Sequence, residues 1–223
     1  MIGFYDYTVY LTYLSAISAV TGIALALSGN PHPYFAIFTL LFSGLCDAFD
    51  GRVARMKKDR TSQMKAYGIQ IDSLADIVAF CVLPVCIGYA LREANYEQLG
   101  GFQVPYILAT AISALFVLGG LIRLAFYNVT EEERQSQESG ARKYYTGLPV
   151  TSAALIFPTV ALIERLIPGN QTWLYYGVML MVGAAFVGNF RLRKPGFKAI
   201  LVMVGIGAVE AILFLFVRYF VHG

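Results

Sequence analysis

The chain alternates between long apolar stretches and short polar breaks along its whole length. The stretches are roughly twenty residues long, which is the length of α-helix needed to cross about 30 Å of hydrocarbon. Several breaks contain the glycine, proline and asparagine residues that interrupt helices, as in Gly29-Asn30-Pro31. Seven membrane helices are therefore predicted, near residues 8–28, 33–55, 69–91, 104–127, 147–167, 172–189 and 198–221.

The composition supports a membrane protein, since 57% of the residues are hydrophobic and only 14% are charged. Soluble domains have about 25% charged residues. The three cysteines, Cys46, Cys81 and Cys86, lie inside apolar stretches without CxxC spacing, which excludes a disulfide framework and a zinc cluster. We expect one domain over residues 1–223, an all-α polytopic membrane bundle with six core transmembrane helices and one more.

The basic residues predict the orientation of this bundle, because Lys and Arg are enriched in short cytoplasmic loops. Thirteen of the 17 Lys and Arg residues lie between the last turn of the second, fourth or sixth stretch and the start of the next one. The N-terminus is therefore predicted to be cytoplasmic, in a protein of the cell membrane. The net charge of +3 then suits anionic lipid headgroups, so membrane lipids are expected partners and nucleic acid is not.

Four aspartates lie inside these apolar stretches, where carboxylates are rare. Asp47 and Asp50 are near the cytoplasmic end of the second stretch, and Asp72 and Asp76 are near the start of the third. Spacings of three and four residues put each pair on one helical face. Because the two helices are consecutive and antiparallel, we expect all four carboxylates to face one another at one membrane depth.

Such a cluster requires compensating positive charge, since each acidic group in a membrane segment costs about 2.5 to 3.5 kcal/mol. The all-oxygen ligand set predicts a hard divalent ion, Mg²⁺ or Mn²⁺, with Ca²⁺ as the alternative. Four carboxylates could neutralise two ions, which would clamp both oxygens of an in-line displacement at phosphorus. Two other interpretations are helix-end aspartates paired with nearby Arg and Lys, and the permeation site of a divalent-cation transporter.

The pattern around the aspartates carries a family resemblance. Asp47-x2-Asp50-Gly51-x2-Ala54-Arg55, then twelve residues, then Gly68-x3-Asp72-x3-Asp76 resembles the signature of the CDP-alcohol phosphatidyltransferases. Members of this family are integral membrane enzymes that move a phosphatidyl or similar group from a CDP-linked donor to an alcohol and release CMP. This chain departs from the family in a loop that is a few residues longer, around residues 57–61.

Two further segments are similar to one branch of the family, in which the acceptor is L-serine. They are Arg123-Leu124-Ala125-x-Tyr127-Asn128 and Gly147-Leu148-Pro149, although Thr151 stands where that branch usually has proline. The resemblance implies CDP-diacylglycerol and L-serine as substrates, phosphatidylserine and CMP as products, and a homodimer. Inositol phosphate, glycerol phosphate or choline as acceptor, or an ether-lipid donor, are alternatives within the class.

The resemblance also implies roles for individual residues. The expected metal ligands are Asp47, Asp50, Asp72 and Asp76. Asp76 would also act as general base on the acceptor hydroxyl, because an alcohol does not ionise at neutral pH. The expected nucleotide contacts are Gly51 and Ala54 beside the cytidine and Arg55 at a phosphate or orienting the carboxylates.

Three cations outside the motif are further candidates. Arg123 lies within a predicted span, where an arginine usually faces a polar cavity and can bind phosphate or carboxylate through its planar guanidinium. Its alternative is to extend towards the membrane interface. Arg142 and Lys143, just before the fifth span, are predicted to contact the serine carboxylate or a phosphate, or else to be solvated loop cations.

Overall fold

A computed structural model of the chain describes residues 3–29, 33–99, 103–137, 144–167 and 169–221. These ranges are almost entirely helical, so the predicted all-α fold class is confirmed. The helices are α1 (Tyr10–Ser28), α2 (Tyr34–Met56), α3 (Ser62–Asp76), α4 (Leu83–Leu99), α5 (Tyr106–Gln137), α6 (Ala153–Leu166), α7 (Thr172–Phe186) and α8 (Phe197–Val221). A π-helical turn, Ile77–Val82, joins α3 to α4 without a break.

Each of the seven predicted apolar stretches contains a helix, if α3, the π turn and α4 are taken as one. Among the described residues, five helices are long and apolar enough to cross a membrane, namely α1, α2, the continuous α3–α4 helix, α5 and α8. The apolar helix α7 is shorter, and α6 has 14 residues. The chain is therefore an integral membrane protein with a polytopic helical bundle.

Helix α3 begins at Ser62, well before the start that apolar character alone predicts at residue 69. The side chain of Thr61 causes this early start, because its Oγ1 accepts a hydrogen bond from the Met64 N–H at 3.2 Å. A threonine in this position satisfies one of the free N–H groups of the first turn. Helix α5 also differs from its predicted bounds, since it runs on to Gln137, past the predicted end at residue 127.

The fifth predicted stretch, 147–167, is α-helical only from residue 153, after a 3-10 turn at Val150–Ser152. Before it, the strand β1 (Tyr144–Thr146) pairs antiparallel with β2 (Arg191–Arg193). The chain then turns at Gly147, which has φ +71° and donates its N–H to the Phe190 carbonyl at 2.9 Å. The loops after α5 and α7 are thus joined by a small sheet at one end of the bundle, and the sequence did not predict it.

Helices α1 and α2 approach closely along a stripe of small residues. Ser15 and Ser43 each donate a hydroxyl to the other residue's carbonyl, at 3.5 and 3.1 Å, and Ser18 donates to the Thr39 carbonyl at 3.0 Å. In a bilayer, where burying apolar surface gives helices little reason to associate, small residues and interhelical hydrogen bonds hold them together. These contacts fix α2, which carries Asp47 and Asp50 near its end.

We expect Gly147→Ala to destabilise the protein. An alanine there must adopt a left-handed φ, and its Cβ would lie 2.7 Å from the Phe186 carbonyl oxygen. The free energy of unfolding should fall by about 1 to 3 kcal/mol, which a lower melting temperature of the detergent-solubilised protein would report. Gly177→Ala is the matched control, because a Cβ at Gly177 meets nothing within 4 Å. Equal melting temperatures for the two variants would contradict the expectation.

Candidate active site

The aspartates of α2 and α3 converge as the sequence predicts. Asp47 and Asp50 lie in the last turns of α2, and Asp72 lies in the last turns of α3. One carboxylate oxygen from each of the three aspartates lies within 4.8 Å of the corresponding oxygens of the other two. From α1, Thr12 donates its hydroxyl to Asp50 Oδ2 at 3.4 Å. Three carboxylates from two antiparallel helices therefore form one compact cluster.

Asp76 lies next to this cluster rather than within it. It is buried, lines the same cavity as Asp47 and Asp72, and interacts electrostatically with all three clustered aspartates and with Arg123. The π turn begins immediately after Asp76, and in it the Leu83 N–H bonds to the Val78 carbonyl. Such turns occur frequently at functional sites. The site is thus a triad of carboxylates with a fourth carboxylate beside it.

The carboxylates open onto a cavity of about 710 Å³ between α2, α3, α5, α6 and α8. Its polar end contains three of the aspartates and several side chains of opposite charge. The charged residues around it are Asp47, Asp72, Asp76, Arg52, Arg55, Arg123, Lys194 and Glu131. The remainder of the wall is mainly apolar. A volume of this size is typical of sites for small molecules.

Arg123 is buried on α5 and faces this cavity, as expected for an arginine within a span. Its Nε donates a hydrogen bond to the carbonyl of Leu148, and its guanidinium carbon lies 5.7 Å from the centre of the Tyr127 ring. Leu148 is held in turn by its own N–H, which donates to the Ala185 carbonyl at 3.0 Å. The Gly147-Leu148-Pro149 segment therefore positions Arg123.

The three predicted nucleotide contacts are placed differently. Gly51 and Arg55 line the cavity, and the Arg55 Nη1 lies 3.3 Å from the position that a Cβ on Gly51 would occupy. Ala54 is half-buried and is not one of the residues that line the cavity. Arg142 and Lys143 lie outside the described residues. The roles of all five residues stay predictions.

Several residues of the cavity wall were not predicted as site residues. Ser73 and Asn128 are hydrogen-bonded at 2.9 to 3.1 Å and link α3 to α5 beside the carboxylates. Tyr145 on β1 lies under Lys194, whose Nζ is 5.5 Å from the ring centre. In the sequence, Lys194 is indistinguishable from any other cation of a cytoplasmic loop. Asn128 lies in the segment 123–128, which is similar to one branch of the family, and this similarity was the one available signal that it belongs to the site.

The longer loop between α2 and α3 is tied to its surroundings. Lys57 forms an ion pair with Asp6 at 3.2 Å, and hydrogen bonds from Thr8 lower the pKa of Asp6 below its usual value. Arg60 donates to the Met64 carbonyl at 3.1 Å and lies so close to Gly68 that a Cβ there would be 2.6 Å from its Nη2. Two residues of this loop are thus fixed, Lys57 to the segment before α1 and Arg60 to the start of α3, and the aspartates of α2 and α3 still converge.

The carboxylate triad fits a divalent metal. All the ligand atoms offered are oxygens, the residues are at least half-buried, and no thiolate or imidazole is part of this group. Hard cations such as Mg²⁺ and Mn²⁺ prefer such oxygen ligands. A bound cation would also offset the repulsion between carboxylates in a region of low dielectric constant. Asp47, Asp50 and Asp72 are the residues that would hold it.

Comparison with known proteins identifies the family to which this fold and site belong. The family model for CDP-alcohol phosphatidyltransferase matches residues 8–189. Because this match covers most of the 223 residues, the chain belongs to the CDP-alcohol phosphatidyltransferase family. The resemblance of the aspartate motif is confirmed. The matched region includes the four aspartates and Arg123, whereas β2 and α8 lie beyond it.

Among its relatives, the chain is similar to three proteins of related name. It is 32% identical over 168 residues to the CDP-diacylglycerol–serine O-phosphatidyltransferase of Helicobacter pylori strain J99, covering 74% of this chain and 62% of the relative. It is 38% identical over 154 residues to the protein of the same name in Saccharomyces cerevisiae, covering 66% and 50%. It is 31% identical over 145 residues to the archaetidylserine synthase of Methanothermobacter thermautotrophicus, covering 65% and 53%.

The matched part of the chain thus spans between half and two thirds of the length of these curated relatives. No solved structure matches the chain.

We expect the triad to bind Mn²⁺ in the purified protein, and Asp72→Asn to weaken that binding. Removing one charged ligand lowers the affinity of an oxygen site, and the loss should be about tenfold or more, as is typical even for changes outside the ligand shell. Titration of Mn²⁺ monitored by electron paramagnetic resonance would measure it. Asp59→Asn, an exposed loop carboxylate, is the control that should bind normally. Equal affinities for the wild type and both variants would exclude the triad as the metal site.

Proposed function

We propose that this protein transfers the phosphatidyl group of CDP-diacylglycerol to the hydroxyl of L-serine, giving phosphatidylserine and CMP. The observation that carries the proposal is the cluster of Asp47, Asp50 and Asp72 with Asp76 beside it, at one end of a cavity. It lies within the region matched by the family. Two of the relatives described above are named for the serine reaction.

In this reaction the serine oxygen attacks the phosphorus that carries the diacylglycerol. A bond forms between that oxygen and phosphorus, the bond from phosphorus to the bridging oxygen of CMP breaks, and CMP leaves with the electron pair. The hydroxyl proton goes to a carboxylate, for which we propose Asp76. This assignment is supported by the position of Asp76, buried on the cavity wall next to the triad. A general base in reach of the attacking hydroxyl typically contributes 10²- to 10⁴-fold.

We propose Mg²⁺ or Mn²⁺ as the cofactor, in a pair of ions held by Asp47, Asp50 and Asp72 with Asp76 as an additional ligand. When bound, divalent ions in such a site neutralise charge that develops on the phosphate oxygens. Around the same end of the cavity, Arg55 and Arg123 could orient the pyrophosphate, since a guanidinium pairs with two phosphate oxygens at once. Arg123 is already oriented by its bond to Leu148.

The active site is proposed to face the cytoplasm, because CMP and serine are soluble there while the diacylglycerol remains in the lipid. The antiparallel pairing of β1 with β2 supports this side. It joins two of the three loops predicted to be cytoplasmic from their Lys and Arg content, and Tyr145 and Lys194 from these loops line the carboxylate cavity. The homodimer remains a prediction that follows from family membership.

Two alternatives within the family differ in the substrates. An ether-linked donor is compatible with the similarity to an archaetidylserine synthase. Another acceptor alcohol is compatible with Thr151, which lines the cavity at the position where the serine branch usually has proline. The transporter interpretation accounts for the carboxylates alone and does not account for the family motif that surrounds them.

We expect Asp76→Asn to abolish most of the serine-dependent release of CMP. The amide keeps the size of the side chain but cannot accept the hydroxyl proton, so the rate should fall by about 10²- to 10⁴-fold. Labelled CDP-lipid and purified protein in mixed micelles would measure the rate. Asp59→Asn is again the control and should keep normal activity. An Asp76→Asn enzyme that releases CMP at the normal rate would refute the assignment of the base.

The acceptor is tested with the wild-type protein alone. Each alcohol in turn is supplied with labelled CDP-diacylglycerol or with its ether analogue, and the lipid products are separated. Serine should give the largest release of CMP and a labelled phosphatidylserine. Release that depends on another alcohol, and not on serine, would replace the acceptor without changing the reaction class.

A further inference from the structure

One wall of the cavity is built by a helix outside the region matched by the family. Helix α8 begins at Phe197, whereas the family match ends at residue 189. The α8 residues on the cavity are Ile200, Met203, Val204, Gly207, Ala208 and Ala211. Their spacing follows one face of a helix. The first and last of them are eleven positions apart, or about 16 Å at 1.5 Å per residue, so α8 contributes a long apolar wall.

A face of α2 forms another wall of this apolar part. Phe38, Leu41, Phe42 and Leu45 line the cavity, and Asp47 follows them on the same helix. From Phe38 to Asp47 the distance along the helix is about 14 Å. An apolar groove between α2 and α8 therefore leads from the carboxylates into the membrane for about half of the 30 Å hydrocarbon core, which is the depth of one leaflet.

Two contacts fix α8 against α2 in an antiparallel arrangement. At the polar end, the guanidinium carbon of Arg52 lies 3.7 Å from the centre of the Phe197 ring. Deeper in the membrane, a Cβ on Gly207 would lie 3.5 Å from Leu41 Cδ2. Eleven residues separate the two contacts on α2 and ten separate them on α8, so the helices stay in register along the groove.

A third contact holds α8 to α6. Glu210 on α8 is buried and accepts a hydrogen bond from the hydroxyl of Thr159 on α6. A hydrogen-bonded carboxyl group within a span is an effective interhelical contact. The groove wall is thus anchored at both of its ends.

The groove also opens sideways. Phe42 and Leu45 on α2 and Met203 on α8 line it, and yet these side chains are 46%, 39% and 37% exposed. Because α2 and α8 are long and apolar enough to cross a membrane, we infer that the groove opens towards lipid. A ligand that enters here must be apolar, while the group it presents at the inner end meets the carboxylates and arginines. A lipid with a charged phosphate headgroup has this chemistry.

We propose that α8 is the wall that binds the hydrocarbon chains of the lipid donor, with Gly207 setting the width of the groove halfway along it. The proposal rests on the proposed function for the identity of the headgroup. A Cβ on Gly207 would lie at ordinary contact distance, 3.4 and 3.5 Å, from Leu155 and Leu41. The Cβ of a larger side chain at position 207 therefore fits without moving the helices, and the remaining atoms of that side chain would occupy the groove.

The direct test is photolabelling without any acceptor. A CDP-lipid with a diazirine midway along a palmitoyl chain is bound to the wild-type protein, irradiated, and the labelled peptides are identified by mass spectrometry. We expect labelling within residues 200–211, and competition by unlabelled CDP-diacylglycerol. A phosphatidylcholine with the same chain should label this segment far less. Equal labelling by phosphatidylcholine would mean that bulk lipid fills the groove, and labelling of other helices with none in α8 would also overturn the proposal.

The second test compares two glycines of α8. Gly207→Leu should lower labelling by the palmitoyl donor about tenfold, which is within the range for steric misfit of a methylene in an apolar pocket. Gly205→Leu is the matched control, because a Cβ at Gly205 meets nothing within 4 Å and Gly205 is not a cavity residue. It should label as the wild type does. Equal labelling of the two variants would refute the role of Gly207.

Measurement of CMP release with donors of different chain length tests chain binding separately from the proposed reaction with serine. With a hexanoyl donor, Gly207→Leu should release CMP within about twofold of Gly205→Leu, whereas with the palmitoyl donor it should be about tenfold slower. Equal losses with both donors would mean general damage to the site and would refute a role in chain binding. If the wild type is labelled on α8 but releases no CMP with serine, the acceptor is wrong and the chain-binding wall stands.

Discussion

The repulsion between buried carboxylates is the constraint that organises this bundle. Asp47, Asp50 and Asp72 are held within 4.8 Å of one another, and Asp76 adds a fourth charge beside them. Such an arrangement is unfavourable by itself in a medium of low dielectric constant. It persists because α2 is fixed by its serine contacts with α1, and because α3 and α4 are one continuous helix through the π turn. The packing of these helices thus holds the carboxylates together against their mutual repulsion, and the resulting site attracts cations.

The cavity divides into two chemical environments that match the two sources of its proposed ligands. Charged side chains surround the carboxylates at one end, and apolar faces of α2 and α8 form the other. In the proposed reaction, water-soluble ligands would reach the first from the loops, and the lipid would reach the second from the side. The reacting phosphate would then lie where the two environments meet. On α2 this boundary lies between Leu45 and Asp47, before the last turns of the helix.

The sequence predicted the parts of the site that depend on local spacing. Aspartates three and four residues apart on consecutive helices must share a face, and the structure brings them together. The sequence could not predict contacts between residues that are far apart along the chain. The strands β1 and β2 have three residues each, which is too short for a periodic pattern. Lys194 is one loop cation among many, and the apolar character of α8 does not say which helix it faces.

Helix ends were predicted less well where polar side chains decide them. Thr61 starts α3 early by capping it, and Gly147 with Pro149 delays α6 within a stretch that is mainly apolar. In both cases a single side chain or backbone conformation outweighs hydrophobicity. Both devices affect elements that carry the site, since Thr61 precedes the helix of Asp72 and Gly147 precedes Leu148, whose carbonyl binds Arg123.

The sheet between β1 and β2 has a mechanical consequence for the passage of ligands. It joins the loop before α6 to the loop after α7, and the carbonyl of Leu148 beside it holds Arg123. A displacement of the end of α7 is therefore transmitted through hydrogen bonds to the guanidinium in the cavity. The position of this guanidinium is therefore coupled to both of the loops that the sheet joins, and not to one loop alone.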